Sequence, residues 1–376
     1  MTSVRDVCDV LVIGAGPAGG MAATMCARAG LRTVLVERYA MPRGKVCGCC
    51  LTPTGVGVLE QAGLGHVVDD AATITRMCLV SPARSARFAM PAYRVISRDV
   101  LDMRLVREAQ RAGARLVDAT SASVHEDGRV TLQTGDRTWE CAAGCVIAAD
   151  GIAGTSLREL DAFAWDIAES SHMGLGVTLP VAPFAMAAGE LTMLVTDDGY
   201  VGLVMLPDGG VDVAAAASPQ RVREAGGAAA WLQRVLSAHG GNSRCLQHVK
   251  VHGTPLLTRR RLCVASGSVL LAGDAAGYVE PFTGEGMTWA LRTGMEVSSY
   301  AQRMAQAKEH ERVSIAKAWS AHWQTLMQPR HAACSRVARS LRLPWLREAA
   351  IMLASLMPAA GREVARRVLA QHEVAA

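Results

Sequence analysis

Aromatic side chains are scarce in this chain, with four phenylalanines and five tyrosines in 376 residues. Few rings are then available for a stacking pocket. Charge is thin too, at 19% of residues, and the net charge of +5 comes mostly from arginines scattered along the chain. That leaves no basic stripe interleaved with aromatics, so no nucleic-acid partner is expected. The longest uncharged apolar run, Ala349 to Ala360, is too short to span a bilayer and contains Pro358. No secretory signal precedes the first strand, which begins within nine residues, and a cytoplasmic protein is expected. The eleven cysteines are odd in number and mostly single. They read as buried thiols in a reducing compartment rather than a disulfide framework. Cys47, Cys49 and Cys50 crowd too closely for a tetrahedral set and have no histidine pair nearby, so no metal is expected. No nucleophile elbow marks a serine hydrolase, and His322 and His331 read as packing or surface residues.

Half of the residues are hydrophobic, the profile of a compact enzyme whose length suits two domains, interleaved or consecutive. The chain is organised around Asp9 to Arg38, which reads as strand, glycine turn, helix and second strand. Val10 to Ile13 form an apolar strand. Gly14-Ala15-Gly16-Pro17-Ala18-Gly19 then puts glycines where a pyrophosphate must approach backbone at a helix N-terminus. Gly30 suits the helix C-terminus, and Thr33 to Val36 form the second strand. Glu37 closes it, eighteen residues beyond Gly19, where a carboxylate accepts hydrogen bonds from a ribose and disfavours a 2′-phosphate. The nucleotide is therefore FAD or NAD rather than NADP.

A glycine-rich, cysteine-dense connection follows from Tyr39 to Leu51, then a short helix from Thr52 to Gly63. Strands are expected between Ile74 and Tyr93. Ser97 to Gly113 has a helical period, with Ser97 as N-cap and Arg98 at its start. Arg115 to Val124, Val130 to Thr134 and Cys145 to Ala149 read as strands, the last ending at Asp150-Gly151. From Asp161 to Thr254 strands dominate around one helix, with Asp208-Gly209-Gly210 as a hairpin signal. Ser268 to Ala272 returns to a buried strand, followed by a helix from about Gly286 to Gln302. The tail reads as helical with breaks near Pro329, Pro344 and Pro358. From Arg330 onward it holds eight arginines against three glutamates. Those arginines form either a solvated face or a basic amphipathic surface that touches membrane. The expected fold is α/β. A Rossmann-like nucleotide-binding domain takes 1–73, 97–160 and 255–300, an inserted antiparallel sheet domain takes 74–96 and 161–254, and a helical region takes 301–376.

The second motif is Leu270 to Gly294, LLAGDAAGYVEPFTGEGMTWALRTG. With Lys45-Val46-Cys47-Gly48-Cys49-Cys50-Leu51, Arg98 and Asp150-Gly151, it resembles the geranylgeranyl reductase family, within the aromatic-hydroxylase superfamily of flavoproteins. The resemblance covers roughly Asp9 to Tyr300. It implies FAD held by Gly14, Gly16, Pro17, Ala18, Gly19, Glu37, Arg38, Cys47, Gly48, Arg98, Ala122, Asp150, Gly273, Asp274, Gly284, Gly286 and Met287. In it Asp274 meets the ribityl hydroxyls, and Gly284 and Gly286 let backbone lie against the isoalloxazine at a helix N-terminus that favours reduced, anionic flavin. Cys47 is placed beside the ring as a candidate catalytic residue. The family's cysteine loop has glycine where this chain has Cys49. Its aromatic substrate motif, Tyr-x-Trp-x-Phe-Pro, falls on Gly202 to Pro207 and keeps only the proline. Gly277 and Glu285 stand where hydroxylases carry histidine and glutamine. The implied activity is reduction of a carbon-carbon double bond in a hydrophobic isoprenoid or polyketide-like substrate, with transient NADH or NADPH or another electron donor. Hydroxylation of an aromatic or polyketide ring, or a flavin redox module without turnover, are the alternatives.

Overall fold

The computed structural model describes residues 5–357 apart from 281 and 283, together with 359 and 363. Pro281, Thr283, Pro358 and the tail residues 360–362 and 364–376 therefore lie outside the described residues. The first sheet runs in the spatial order 265–266, 269–271, 137–148, 5–13, 33–36 and 115–117, and a hairpin (121–124 and 130–134) extends strand 137–148. From 269–271 to 115–117 its strands are parallel. Val10, Leu11 and Val12 are fully buried, as befits a continuous apolar run in a sheet covered on both faces. Helices α1 (Pro17–Arg28), α2 (Pro53–Gln61) and α3 (Arg98–Arg111) follow the early strands.

The second sheet has the order 252–256, 173–179, 211–217, 199–205, 190–196, 72–80, 85–95 and 50–51. It departs from the antiparallel expectation at one junction, where strand 190–196 pairs parallel with 72–80. The hairpin 72–95 and the meander 173–217 come from separate parts of the chain and join edge to edge, which frees their relative direction from any tight turn. Helices α4 (Pro219–Glu224) and α5 (Ala228–Ala238) follow its strands, and Trp231, Leu232, Val235 and Leu236 of α5 sink into its outer core. A third, three-stranded sheet joins 165–167, 259–261 and 277–278.

The C-terminal part comprises α6 (Gly286–Gln306), α7 (Glu309–Leu341) and α8 (Pro344–Leu356). Pro329 breaks nothing: α7 runs through it. A proline inside a helix costs about 3 kcal/mol. Here Trp319, Trp323 and Met327 before it and Cys334 after it are all buried in one core, and Trp319 Nε1 donates to the Leu271 carbonyl at 3.1 Å. Pro344 does restart the chain, at the first turn of α8. The expected strand 115–124 is two strands parted at Asp118–Thr120, where Ala119 has a φ of +47°. Ser97 occupies the N-cap position of α3, but its side chain accepts no capping bond.

Candidate active site

The turn after the first strand uses its three glycines differently, which corrects the reading that all three admit a ligand. A Cβ on Gly14 would lie 2.5 Å from the Ala149 carbonyl oxygen, and one on Gly19 would lie 1.8 Å from the Gly14 oxygen. Both are glycine because protein backbone already fills the space. Gly16 is the exception. Its Cβ would meet only Arg98 Nη2, at 3.4 Å, and it opens onto a cleft lined also by Pro17 and Ala18. Gly273 resembles Gly14, since a Cβ there would press on that of Ala18 at 2.8 Å.

Positive charge gathers opposite this turn. Arg98 is buried and makes two parallel bonds to Asp102, at 2.9 and 2.8 Å, within the first turns of α3. Burial works against its charge, but Asp102 outweighs that and holds the guanidinium cationic. Lys45 faces the same cleft. Burial and then Arg98 pull its pKa down, while Asp274, which also lines the cleft, opposes them. Burial pushes the Asp274 carboxyl up, against the pull of Lys45 and Arg98.

Glu37 lies buried just outside the cleft. Its Oε2 accepts from the Ala15 amide at 2.9 Å and from Arg43 Nη2 at 3.0 Å, and its Oε1 accepts from the Tyr39 amide at 3.2 Å. Burial raises its pKa, but Arg43 and the two amides prevail and hold it below the usual carboxylate range. It therefore ties strand 33–36 to the glycine turn with charge kept ionised. Arg38 points to solvent with its guanidinium 4.7 Å from the Tyr39 ring, and Ala122 sits half-buried against the first core. Neither lines the cleft.

At the far end, Gly284, Gly286 and Met287 bring the start of α6 to the cleft. Gly151 lines it, whereas Asp150 lies behind, accepting from the Ser156 amide at 2.9 Å. Burial raises the Asp150 carboxyl. Cys47 and Gly48 form the opposite lip. Burial lifts the Cys47 thiol more than Arg98 lowers it, so Cys47 carries a proton at neutral pH. None of the eleven cysteines is joined in a disulfide.

Cys49 has a φ of +53°, a left-handed backbone that glycine adopts without cost. Cysteine stands where the resemblance to the reductases implies glycine, and this backbone is one that glycine favours. The buried Cys49 thiol lies close enough to Asp212, on strand 211–217, for each to shift the titration of the other. Asp212 Oδ2 is buried without a hydrogen-bond partner. Burial raises the Asp212 pKa to about 7, against the pull of the Cys49 thiol. With an ordinary value of 3.8 in the unfolded chain, the folded state holds the extra proton from about pH 4 to about pH 7. Stability due to this group therefore falls as pH rises through that window. Asp212→Asn is expected to flatten the fall and to gain roughly 2–4 kcal/mol above pH 7. Denaturant unfolding of both proteins from pH 5 to pH 8 checks this, and parallel pH profiles would refute it.

The cleft encloses about 1420 Å³ of empty space, its open mouth included. Beyond the glycine turn its wall passes to Met77, Leu191, Met193 and Val204 of the second sheet. Three of the five tyrosines, Tyr93, Tyr200 and Tyr278, converge there with Phe282, whose ring centroid is 5.0 Å from that of Tyr200. The aromatic scarcity does not carry over to this site, because the few rings are concentrated in it. His331 instead packs between Trp289 and Trp323, and burial lowers its pKa to about 4. His322 lies against Tyr300 and Trp319. Among the described residues no group of three or more metal-ligating side chains comes together.

Residues 7–305 match the family described as FAD binding domain. The chain belongs to that family. Its cofactor is FAD, and the buried cations beside an open Gly16 fit a pyrophosphate. This FAD-binding chain is 28% identical over 384 residues to the menaquinone reductase of Mycobacterium tuberculosis, covering 91% of itself and 85% of that protein. A geranylgeranyl bacteriochlorophyll reductase-like protein from Thermoplasma acidophilum superposes with a TM-score of 0.80 at 18% identity, over 98% of this chain and 97% of that one. The p-nitrophenol 4-monooxygenase of Pseudomonas putida superposes at 0.78 with 15% identity, over 98% of each chain. At these identities the two superpositions establish a shared fold, which reductase-like and oxygenase proteins both use.

Sequence reasoning missed Lys45 and Asp212. Lys45 carried one usable signal: it is one of only four lysines among 39 basic residues. Asp212 carried none, since it alternates with apolar neighbours as any strand residue does.

Proposed function

We propose that this protein reduces a carbon-carbon double bond in a polyprenyl-bearing substrate. The observation that carries the reading is a cleft joining the glycine turn and its buried cations to an apolar end, where Met77, Met193, Leu191 and Val204 stand beside the rings of Tyr93, Tyr200, Tyr278 and Phe282. Such a wall adapts to an aliphatic chain. The names of the mycobacterial relative and the archaeal structural neighbour share one chemical element, a polyprenyl compound, which supports the same choice. Bound FAD supplies hydride transfer to the substrate, and NADH, NADPH or another carrier supplies the reducing equivalents.

In this reading the chain's own residues divide the work. Arg98 and Lys45 neutralise the pyrophosphate, with Gly16, Pro17 and Ala18 giving it backbone to lie against. Glu37 holds the turn, and Oε1, which already takes the Tyr39 amide, has a second lone pair for a ribose hydroxyl. Asp274 faces the ribityl chain, and Gly284, Gly286 and Met287 present the positive end of α6 to the ring. Gly48 keeps the opposite lip thin. Cys47 Sγ holds the proton that must reach the second carbon. The apolar wall keeps water from the reacting atoms.

The test is to reduce the holoenzyme anaerobically and mix it with a short-chain menaquinone or a geranylgeranyl lipid. Return of the oxidised flavin spectrum with a product saturated at one isoprenoid double bond is the expected result; reduction of the quinone ring alone would count against it. No reaction with either compound, but rapid oxidation by oxygen only when an aromatic ligand is present, would favour the oxygenase reading.

A further inference from the structure

Helix α8 is amphipathic in the opposite sense to an ordinary surface helix. Its only charged residues, Arg347 and Glu348, are turned toward the protein: Arg347 is 4% exposed and bonds Asp197 at 2.8 Å, and Glu348 accepts from Ser81 Oγ at 2.8 Å. Ile351 and Ala354 on the same inner side are buried against the second sheet. Trp345, Ala349, Met352, Leu353 and Leu356 lie 0, 4, 7, 8 and 11 residues along, a single helical stripe, and all are exposed. Of the thirteen large apolar side chains exposed among the described residues, six fall between Leu343 and Met357. Chance scatter of isolated surface hydrophobes does not give that concentration.

We propose that the outward stripe of α8 docks on an anionic membrane surface, with Trp345, Leu353 and Leu356 seated among the lipid headgroups and acyl chain ends. Charge complementarity names the occupant. Exposed Arg339 precedes the helix and exposed Arg84 stands at the hairpin that Glu348 contacts through Ser81, while the nearby acids Asp197 and Glu348 are both paired to Arg347. An apolar stripe flanked by arginines suits an interfacial helix on anionic lipid. A second copy fits less well, because a two-fold contact through this face would bring the same arginines together. The stripe is also placed for delivery. Ile351 and Ala354 on the inner side share one apolar cluster with Met77, Tyr93, Met193 and Val204, which wall the substrate end of the cleft. The inference rests on the polyprenyl reading for its purpose, since a substrate of that kind resides in lipid.

The experiment is flotation of the full FAD-loaded chain with phosphatidylcholine vesicles and with equimolar phosphatidylcholine and phosphatidylglycerol vesicles, at low and high salt. The wild type is expected to float with the mixed vesicles and to release in salt. The triple variant Trp345→Ser, Leu353→Ser, Leu356→Ser is expected to partition about tenfold less or weaker. These side chains are exposed, so flavin content and thermal transition should be unchanged, and the single variant Leu353→Ser serves if the triple one fails to fold. A wild type that stays unbound, or a variant that floats equally well, overturns the proposal. So does self-association of the wild type that the same substitutions abolish, which would assign the stripe to a second copy. Flotation without turnover of any polyprenyl compound would retire the proposed reaction and leave the docking face standing.

Discussion

Gly16→Leu is expected to give a folded protein that has lost its FAD. Gly16 has φ −80° and ψ −172°, an extended conformation open to any residue, and a Cβ there would meet only Arg98 Nη2, at 3.4 Å. The one atom near that Cβ is the end of the Arg98 side chain, and the rest of the leucine would occupy the ground the pyrophosphate needs. FAD affinity should fall roughly a hundredfold or more, about 3 kcal/mol, while the melting temperature of the apoprotein moves little. Gly19→Ala should do the reverse. One added methyl would sit 1.8 Å from the Gly14 oxygen, so the turn must open and stability should drop by about 3 kcal/mol or more. Equilibrium dialysis against FAD and thermal unfolding of the apoproteins separate the two effects. A Gly16→Leu protein that remains yellow after dialysis would show that the cofactor does not cross this turn.

Arg98→Met is the second large effect, and it acts through two routes. Asp102 is 0% exposed, and without Arg98 it keeps only a long ion pair to Arg43 at 3.8 Å and the more distant field of Lys45 among the described residues. Breaking a buried pair by removing one member costs about 3–5 kcal/mol. The same substitution withdraws the cation nearest Gly16, so FAD affinity should fall at least about tenfold. The routes part in the double variant Arg98→Met with Asp102→Leu, which removes the stranded carboxylate. Stability should return to within about 1 kcal/mol of the wild type, with FAD binding still weak. A double variant that binds FAD normally would reduce Arg98 to a structural role.

The elements legible in the sequence are those whose signals are local. Strand Thr33–Val36, helix Pro17–Arg28 and the hairpin at Asp208-Gly209-Gly210 follow from apolar period, glycine and turn chemistry over a few residues. Gly16 was legible for the same reason. The different tasks of Gly14 and Gly19 were not, because the atoms that crowd Gly14 lie at Ala149 and Asp150, more than a hundred residues away. Glu37 was readable as an acceptor beside the turn, while its ion pair with Arg43 depends on how the Tyr39–Leu51 connection folds back. Cys49 looked like a blemish in a motif until its backbone showed the left-handed conformation and its thiol met Asp212. Pro329 failed as a helix stop because burial of the tryptophans around it outweighs a local preference. The gathering of Tyr93, Tyr200, Tyr278 and Phe282 was invisible to composition, which counts rings and does not locate them.

The proposed reaction in this cleft is reduction of a double bond rather than insertion of oxygen. Product analysis under two atmospheres tests it most directly, with holoenzyme, NADH or NADPH, and a short-chain menaquinone or geranylgeranyl lipid. Reduction predicts the product saturated at one isoprenoid double bond in full yield without oxygen, and under oxygen-18 a product free of the label. Oxygen-18 in the product, together with no turnover in its absence, would contradict the reductase and establish a monooxygenase.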